Sequence, residues 1–273
     1  MKSFTVLQIV ALIAGTMAYP NMEPVKNGGR PSGILVDEDA VPVVNVTTCG
    51  GYINSSSATI SYQPGASIRA DQVCVWVVKA PYDSIRFHLV STGLGENDGL
   101  YLTRFINLIP GFQYNISTIG ENYTYTAGPV LVTLSVGHAP TRGFTLQFFS
   151  SGLADVSTPD YTGYTSLTLN NGNFSYPADG SNYRNNERAF FLVNPTVPSI
   201  RTLRFTRMDL ESASGCTYDA VVIYNWYENR YNQITRVCGT QLPPVLTLES
   251  GLGLVTFETD SSVVQTGFSF EWL

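Results

Sequence analysis

The chain has 273 residues, of which 44% are hydrophobic and 13% are charged. A charged share of about half the usual one excludes a coiled coil or a long disordered tail, since both need many Glu, Lys and Arg residues. The 21 acidic residues outnumber the 15 basic ones, which argues against a dedicated nucleic-acid binder. The chain has only two histidines, which argues against histidine-based catalysis and against a His-rich zinc site.

Residues 1–18 have the pattern of a secretory signal peptide. Lys2 supplies a positive charge, residues 4–14 form an apolar core, and residues 16–18 form a small-x-small cleavage motif ending at Ala18. The apolar run is shorter than the roughly 20 residues that a membrane anchor needs, and no later stretch is apolar for long enough to span a bilayer. We therefore expect a secreted, extracellular chain that is cleaved after Ala18 and has no membrane span.

Residues 19–48 are rich in Pro, Gly and acidic residues and show no sustained period, which predicts an extended N-terminal arm.

Two further features agree with secretion. The four cysteines form an even set, as expected for disulfides in an oxidising compartment, and they allow three connectivities. The chain also has five Asn-x-Ser/Thr sequons, which are candidate glycosylation sites: Asn45, Asn54, Asn115, Asn122 and Asn173.

From Cys49 onward the chain consists of short β-type runs separated by turn residues. Ile85, Phe87 and Leu89 alternate with polar residues, which predicts a strand with one buried face. Clusters such as Asn170-Asn171-Gly172 lie between the runs as turns. No segment keeps a helical period over 12 residues, so the sequence predicts an all-β fold made of sandwiches.

An internal repeat predicts two tandem antiparallel sandwich domains, at residues 49–150 and 160–273. Each copy ends in an apolar strand, a polar loop, a Gly-Phe pair and a last strand, at residues 130–149 and 254–273. Upstream, the run from Cys74 parallels the run from Ala189. Residues 49–149 have five acids and five bases, whereas residues 160–273 have eleven acids and seven bases, a net charge of −4. An acidic site is therefore expected in the second copy.

At these residues the chain resembles the CUB domain family, whose members are extracellular β-sandwiches with a jelly-roll-like arrangement. The first copy opens with Cys49-Gly50-Gly51 and continues to Cys74-Val75-Trp76. The second copy has Ala189 and Phe191 at those Cys and Trp positions, but it contains Cys216-Thr217-Tyr218-Asp219, followed by Cys238-Gly239 and Pro243. The resemblance implies the disulfides Cys49–Cys74 and Cys216–Cys238, each within one copy.

The resemblance also implies a calcium site in the second copy. The calcium-binding CUB subgroup has a Glu before the Cys, an Asp in Cys-x-Tyr-Asp and an Asp in an Asp-x-Ser loop, which match Glu211, Asp219 and Asp260. Ser262 is expected to add a carbonyl or hydroxyl oxygen. Tyr183 matches the tyrosine that supports these carboxylates, although Arg184 replaces the Pro that commonly follows it.

Physical chemistry independently favours a cation at these three acids. Three carboxylates brought together from separate loops repel one another. Calcium accepts mixed shells of carboxylate, carbonyl and water oxygens, whereas zinc needs His or free Cys ligands that are missing from this part of the sequence. In the first copy Asp98 takes the Asp position, but Val90 stands where the Glu would be and Ser135–His138 replaces the Asp-x-Ser loop. We expect no metal site there.

We expect a non-catalytic recognition protein. No Gly-x-Ser-x-Gly elbow accompanies His138, and no HExxH motif is present. The resemblance implies an extracellular protein ligand that brings a Lys or Arg to the calcium-ordered acidic edge. One alternative is carbohydrate binding through aromatics exposed on the surface, and the other is a structural role in an extracellular layer. The aromatics considered are Tyr224, Trp226, Tyr227 and Tyr231.

Overall fold

The computed structural model describes residues 44–126, 128–154 and 163–273. The predicted signal peptide at 1–18 and residues 19–43 of the predicted arm lie outside these ranges. Within them the fold is all-β, as predicted, with nineteen strands and one turn of 3₁₀ helix at Ser214–Cys216. No helix in the described part of the chain is long and apolar enough to cross a bilayer.

Ten strands form two sheets in the first half of the chain. They are β1 (Val44–Val46), β2 (Gly51–Asn54), β3 (Ser57–Ile68), β4 (Val73–Lys79), β5 (Tyr82–Thr92), β6 (Gly99–Ile106), β7 (Ile109–Asn115), β8 (Asn122–Thr126), β9 (Val130–Ser135) and β10 (Thr141–Ala154). Sheet 1 has the order β1-β3-β10-β5-β8, and sheet 2 has the order β2-β4-β9-β6-β7. The two sheets together are called the first sandwich below.

Nine strands form two sheets in the second half. They are β11 (Gly163–Leu167), β12 (Gly172–Tyr176), β13 (Arg188–Val193), β14 (Arg201–Asp209), β15 (Ala220–Tyr227), β16 (Arg230–Val237), β17 (Leu246–Leu248), β18 (Gly253–Glu258) and β19 (Gly267–Trp272). Sheet 3 has the order β11-β13-β18-β15-β16, and sheet 4 has the order β12-β19-β14-β17. These sheets form the second sandwich, whose strand order repeats that of the first sandwich once β1 is set aside.

The structure differs from the sequence expectation at the start of the first sandwich and at three strand pairs. Val44–Val46, which lie in the predicted arm, form β1, with Asn45 opposite Thr59 of β3. A run of three residues is too short to show a period in the sequence. The pairs β1–β3, β2–β4 and β11–β13 are parallel, whereas the rest of the pairing is antiparallel as predicted.

Each sandwich has its own apolar core between its two sheets. Ile85, Phe87 and Leu89 of β5 point into the first core, as their alternation predicts. Trp76 lies at the centre of this core, with its ring centroid 5.6 Å from that of Phe144 in an edge-to-face arrangement. The second core is equally aromatic, with Phe257, Phe268 and other rings packed against one another.

The two disulfides lie one in each half of the chain. Cys49 is joined to Cys74 and Cys216 to Cys238, with Cα atoms 5.1 Å and 5.5 Å apart. This is the pairing that the family resemblance implied. No free cysteine is present in the described ranges.

A third apolar cluster joins the two sandwiches. Sheet 2 and sheet 3 bury their outer faces against each other, so these sheets are covered on both sides. In β4, Val75 and Val77 point toward the other sandwich while Trp76 points into its own core. Burial on both faces explains why residues 73–78 read as a continuous apolar run instead of an alternating one. All these residues belong to one compact unit, Val41–Leu273.

Phe105 of β6 is the centre of this third cluster. Its ring centroid lies 5.6 Å from that of Phe190, 6.1 Å from that of Tyr224 and 5.6 Å from that of Tyr231, each in an edge-to-face arrangement. Such pairs contribute roughly 0.5–1.5 kcal/mol each beyond the burial of their area. Phe105 therefore contacts three rings of the second sandwich at once.

The buried hydroxyl groups of Tyr224 and Tyr231 have partners on the opposite sandwich. Tyr224 OH donates to the carbonyl of Leu108 at 3.1 Å, and the hydroxyls of Tyr231 and Thr133 lie 2.9 Å apart. Burial raises the pKa of Tyr224 to about 12. These contacts bear on the alternative of carbohydrate binding. Tyr224, Trp226 and Tyr231 are buried between the sandwiches, and only Tyr227 of the four candidate sugar-binding aromatics is exposed.

We predict that Phe105→Ala lowers the free energy of unfolding by about 3–5 kcal/mol, because the cavity opens where three rings meet. Denaturant unfolding of the full chain measures this change. The control is Phe112→Ala in the adjoining strand β7, where the side chain is 60% exposed and the expected loss is about 1 kcal/mol or less. Equal losses in the two variants would contradict the central role of Phe105.

Candidate metal centre

Three carboxylates converge at one end of the second sandwich. Glu211 follows β14, Asp219 immediately precedes β15, and Asp260 lies two residues beyond β18. Because β15 and β18 are antiparallel neighbours, with Ala220 opposite Glu258, the start of one lies beside the end of the other. Oxygen atoms of the three carboxylates all lie within 4.8 Å of one another, as the family resemblance implies.

Tyr183 connects two of the three acidic residues. Its hydroxyl donates to Asp219 Oδ2 at 2.5 Å and accepts the backbone N–H of Glu211 at 3.1 Å. The side chain is only 2% exposed, and its ring packs edge-to-face on Phe257 with centroids 5.2 Å apart. Burial, together with the hydrogen bond to Asp219, raises the pKa of Tyr183. Tyr183 therefore acts as a neutral hydroxyl that positions both neighbours.

Asp219 is completely buried and has both oxygens hydrogen-bonded. Besides the bond from Tyr183, its Oδ1 accepts the backbone N–H of Asp260 at 3.0 Å. Burial raises the pKa of Asp219, and the charge of Asp260 adds to this, whereas the two hydrogen bonds act in the opposite direction. Asp219 is thus held in a fixed orientation and is made costly to ionise in the absence of a cation.

The loop of Asp260 is held by its own hydrogen bonds. Asp260 Oδ1 accepts the backbone N–H of Ser262 at 2.8 Å and lies 3.4 Å from Ser262 Oγ. The Asp260 carbonyl accepts the N–H of Asn186 at 2.6 Å, and Asn185 Nδ2 donates to the Ser261 carbonyl at 2.9 Å. The Ser262 hydroxyl therefore faces Asp260, so it lies beside the cluster.

The carboxylate of Glu211, unlike that of Asp219, has an oxygen without a hydrogen-bond partner. Its Oε2 is buried and has no hydrogen-bond partner among the described residues. Burial, followed by the charges of Asp260 and Asp219, raises the pKa of Glu211. A buried carboxylate oxygen next to two further carboxylates lacks a positive group, which is the environment that a hard divalent cation fills.

Sequence reasoning missed Glu187, a fourth acidic residue near this end of sheet 3. It is 5% exposed, and its Oε2 has no partner in the described part of the chain. Its backbone N–H donates to Thr259 Oγ1 at 2.8 Å, which places it beside the residue that precedes Asp260. The Asn185-Asn186-Glu187-Arg188 segment looks like a polar turn, so the sequence had no signal of this burial.

At the equivalent end of the first sandwich, the acidic residue Asp98 is hydrogen-bonded to the backbone instead of lying beside other carboxylates. Asp98 accepts the backbone N–H of Gly95 at 2.6 Å and that of Gly137 at 2.8 Å. These bonds join two loops of the chain.

Across residues 44–126, 128–154 and 163–273, Glu211, Asp219 and Asp260 are the only group of three potential ligands that lie close enough to hold a metal ion.

Comparison with known proteins finds a family match for the second sandwich and several relatives. Residues 163–272, which span the second sandwich almost completely, match the family model of the CUB domain. Rat cubilin is 25% identical over 235 residues, which cover 82% of this chain and 6% of cubilin. Human tolloid-like protein 1 is 26% identical over 189 residues, which cover 60% of this chain and 19% of that protein. The chain thus spans less than a fifth of the length of these two relatives.

Among solved structures, the MASP-1 CUB2 domain bound to Ca2+ matches 40% of this chain and 96% of that domain, with 19% identity and a TM-score of 0.35.

We predict that Glu211→Gln stabilises the cation-free protein at neutral pH. The raised pKa means that the folded state binds this proton more tightly than the unfolded chain does, so wild-type stability rises as the pH falls toward the ordinary value of 4.5. The glutamine is neutral at every pH, so its advantage shrinks on acidification. Thermal unfolding in chelator between about pH 4.5 and pH 7.5 measures the difference.

The control for this experiment is Glu228→Gln. Glu228 is exposed and pairs only loosely with Arg230 at 3.5 Å, so no pH-dependent advantage is expected. A Glu211→Gln protein that is less stable than wild type at neutral pH would contradict the electrostatic account.

Proposed function

We propose that the protein is a secreted, non-catalytic recognition protein that binds one calcium ion at Glu211, Asp219 and Asp260. The observation that carries the proposal is the unpartnered, buried Oε2 of Glu211 beside two other carboxylates. The cation would neutralise a cluster in which burial already raises the pKa values of Glu211 and Asp219. The resemblance of the second half to the calcium-binding CUB subgroup supports the same assignment.

The ligand chemistry favours calcium. Calcium takes about six to eight oxygens and tolerates irregular shells, and here the three carboxylates would be supplemented by water and by Ser262. Tyr183 is a positioning residue in this scheme, because its hydroxyl is already used by Asp219 and Glu211. No His or Cys side chain joins the cluster in the described ranges, which makes zinc a poor fit.

The location and the domain organisation form part of the proposal. The signal-peptide pattern, the sequons and the two disulfides favour an extracellular chain. We propose that residues 49–150 and 160–273 are both CUB-like domains, because sheets 1 and 2 of the first half repeat the strand order of sheets 4 and 3 of the second half. In this first domain Asp98 would provide by hydrogen bonding the loop closure that calcium provides in the other.

The proposed partner is an extracellular protein that presents a Lys or Arg side chain to the calcium-ordered edge. Residues 160–273 have a net charge of −4, and the half-exposed Tyr218 lies next to Asp219. A charge-assisted hydrogen bond to an Asp oxygen is short and sensitive to salt. A single contact of this type is weak, so neighbouring contacts must contribute to useful affinity.

The first test is calcium binding by the full chain, since an isolated second sandwich would expose the aromatics of its interface. Calcium at about 100 times its dissociation constant stabilises by about 2.7 kcal/mol, which corresponds to a rise of roughly 5–10 °C in the unfolding midpoint of a chain this size. Magnesium is expected to do much less, because it requires a stricter octahedral shell.

Asp219→Asn should abolish the calcium shift, since it removes one of the three ligand charges while preserving the shape of the side chain. Glu228→Gln, at an exposed hairpin, is the matched control and should keep the full shift. Wild-type protein that shows neither a thermal shift nor a binding heat with calcium would overturn the assignment.

The second test concerns the partner. Immobilised full chain is exposed to extracellular fluid from its source, with calcium or with chelator, and with the lysines of the fluid either intact or acetylated. Acetylation removes the lysine charge. We expect capture of a protein only with calcium, loss of capture on acetylation if the ligand presents a lysine but not if it presents an arginine, and weaker capture by Asp260→Asn. Undiminished capture in chelator would refute the mechanism.

A further inference from the structure

A shallow groove crosses the outer face of sheet 1, on the side away from the second sandwich. It encloses about 260 Å³ and lies over β3, β10 and β5. Its floor and walls include Thr59, Gln147, His88, Arg86 and Phe149. Because the inward residues of these strands form the first core, these five side chains belong to the opposite, solvent-facing side of the sheet.

The strand register places a sequon at each end of a row of residues through this groove. Thr59 is opposite Gln147, and Gln147 is opposite His88. The row ends at Asn122 of β8, which is opposite His88, and at Asn45 of β1, which is opposite Thr59. Both asparagines lie on edge strands and are exposed, so an enzyme could reach them.

Asn122 is already oriented toward the groove. Its Oδ1 lies 3.2 Å from Nδ1 of His88, which lines the groove. N-glycosylation modifies the amide nitrogen, so the oxygen stays available for this contact. His88 therefore fixes the direction in which the first sugar leaves the protein, whereas no hydrogen bond from Asn45 to the groove is present in the described residues.

The groove has the chemistry of a sugar-binding surface. Phe149 is 59% exposed on the outer face of sheet 1, and it lies opposite Arg86, which in turn is opposite Thr124 of the Asn122 sequon. A pyranose ring has an apolar face that stacks on an aromatic ring and hydroxyl groups that accept from Arg and Gln donors. Phe149 lies two strand spacings, about 10 Å, from β8 across the sheet, and the first sugars of an attached glycan cover this distance.

We propose that Asn122 is glycosylated and that the first N-acetylglucosamine residues of its glycan lie along the groove, with one ring stacked on Phe149. The inference rests on the secretion that the proposed function includes, and it is independent of the calcium site. The glycan would cover an aromatic side chain that no other described part of the chain buries. It would also prevent other proteins from docking on this face of sheet 1.

The test uses full-length protein secreted from a glycosylating cell. Thr124→Ala removes the Asn122 sequon and preserves the contact between Asn122 and His88, while Thr124→Ser keeps the sequon and serves as the matched control. Ser117→Ala removes the sequon of Asn115 and controls for the loss of any glycan. Mass spectrometry of the glycopeptides gives the occupancy, and thermal unfolding gives the stability.

We expect Thr124→Ala to lower the unfolding midpoint by about 2–4 °C, and Thr124→Ser and Ser117→Ala to change it by less than about 1 °C. In a Phe149→Ser background, Thr124→Ala should cause no further decrease, because the stacking partner is already lost. Under native conditions a glycosidase should release the Asn122 glycan more slowly than the Asn115 glycan, and Phe149→Ser should remove this protection.

Three results would overturn the inference. The first is an unmodified Asn122 in protein whose Asn115 is modified, which would leave the proposed secretion intact. The second is additivity of the Thr124→Ala and Phe149→Ser effects. The third is a second copy of the chain or another protein that occupies the groove in the glycosylated protein. Retention of the chain inside the cell, by contrast, would count against the proposed secretion.

Discussion

The packing of sheet 2 against sheet 3 is the constraint on which the rest of the structure depends. Phe105 contacts three aromatic rings across this interface, and the buried hydroxyl groups of Tyr224 and Tyr231 each have a hydrogen-bond partner on the opposite sandwich. Burial on both faces restricts the middle strands to apolar side chains and to polar ones that have a hydrogen-bond partner, such as Thr133. The remaining outer faces, those of sheets 1 and 4, and the loop ends are the surfaces on which recognition can develop.

The candidate metal centre follows from the antiparallel order of the sheets. The loop ends of β14, β15 and β18 meet at one end of the second sandwich, and Tyr183 holds two of them with a single hydroxyl. Most of the positioning is therefore complete without a cation. What the folded chain does not provide is positive charge, and the unpartnered oxygen of Glu211 marks that deficit.

Local patterns in the sequence predicted the strands and the repeated order, whereas the convergence of Glu211, Asp219 and Asp260 was implied by the resemblance to the CUB domain family. The interface was not predicted, because Tyr224 and Trp226 have the same spacing in a hairpin that faces water as in one that faces another sheet. Only the continuous apolar runs of β4 and β13 indicated burial on both sides. Glu187 was missed because burial of a charged residue at the start of a strand leaves no periodic signal.

The shared interface restricts how this pair of sandwiches can be inherited. Within the described residues, the second sandwich contributes eight side chains to the third cluster: Phe190, Leu192, Val222, Tyr224, Trp226, Tyr231, Leu252 and Leu254. A gene segment that carried this half alone into another protein would place all eight in water, unless a new neighbour covered them. Exon shuffling would therefore favour transfer of the two halves together, and substitutions on the two facing sheets would have to arise in compatible pairs.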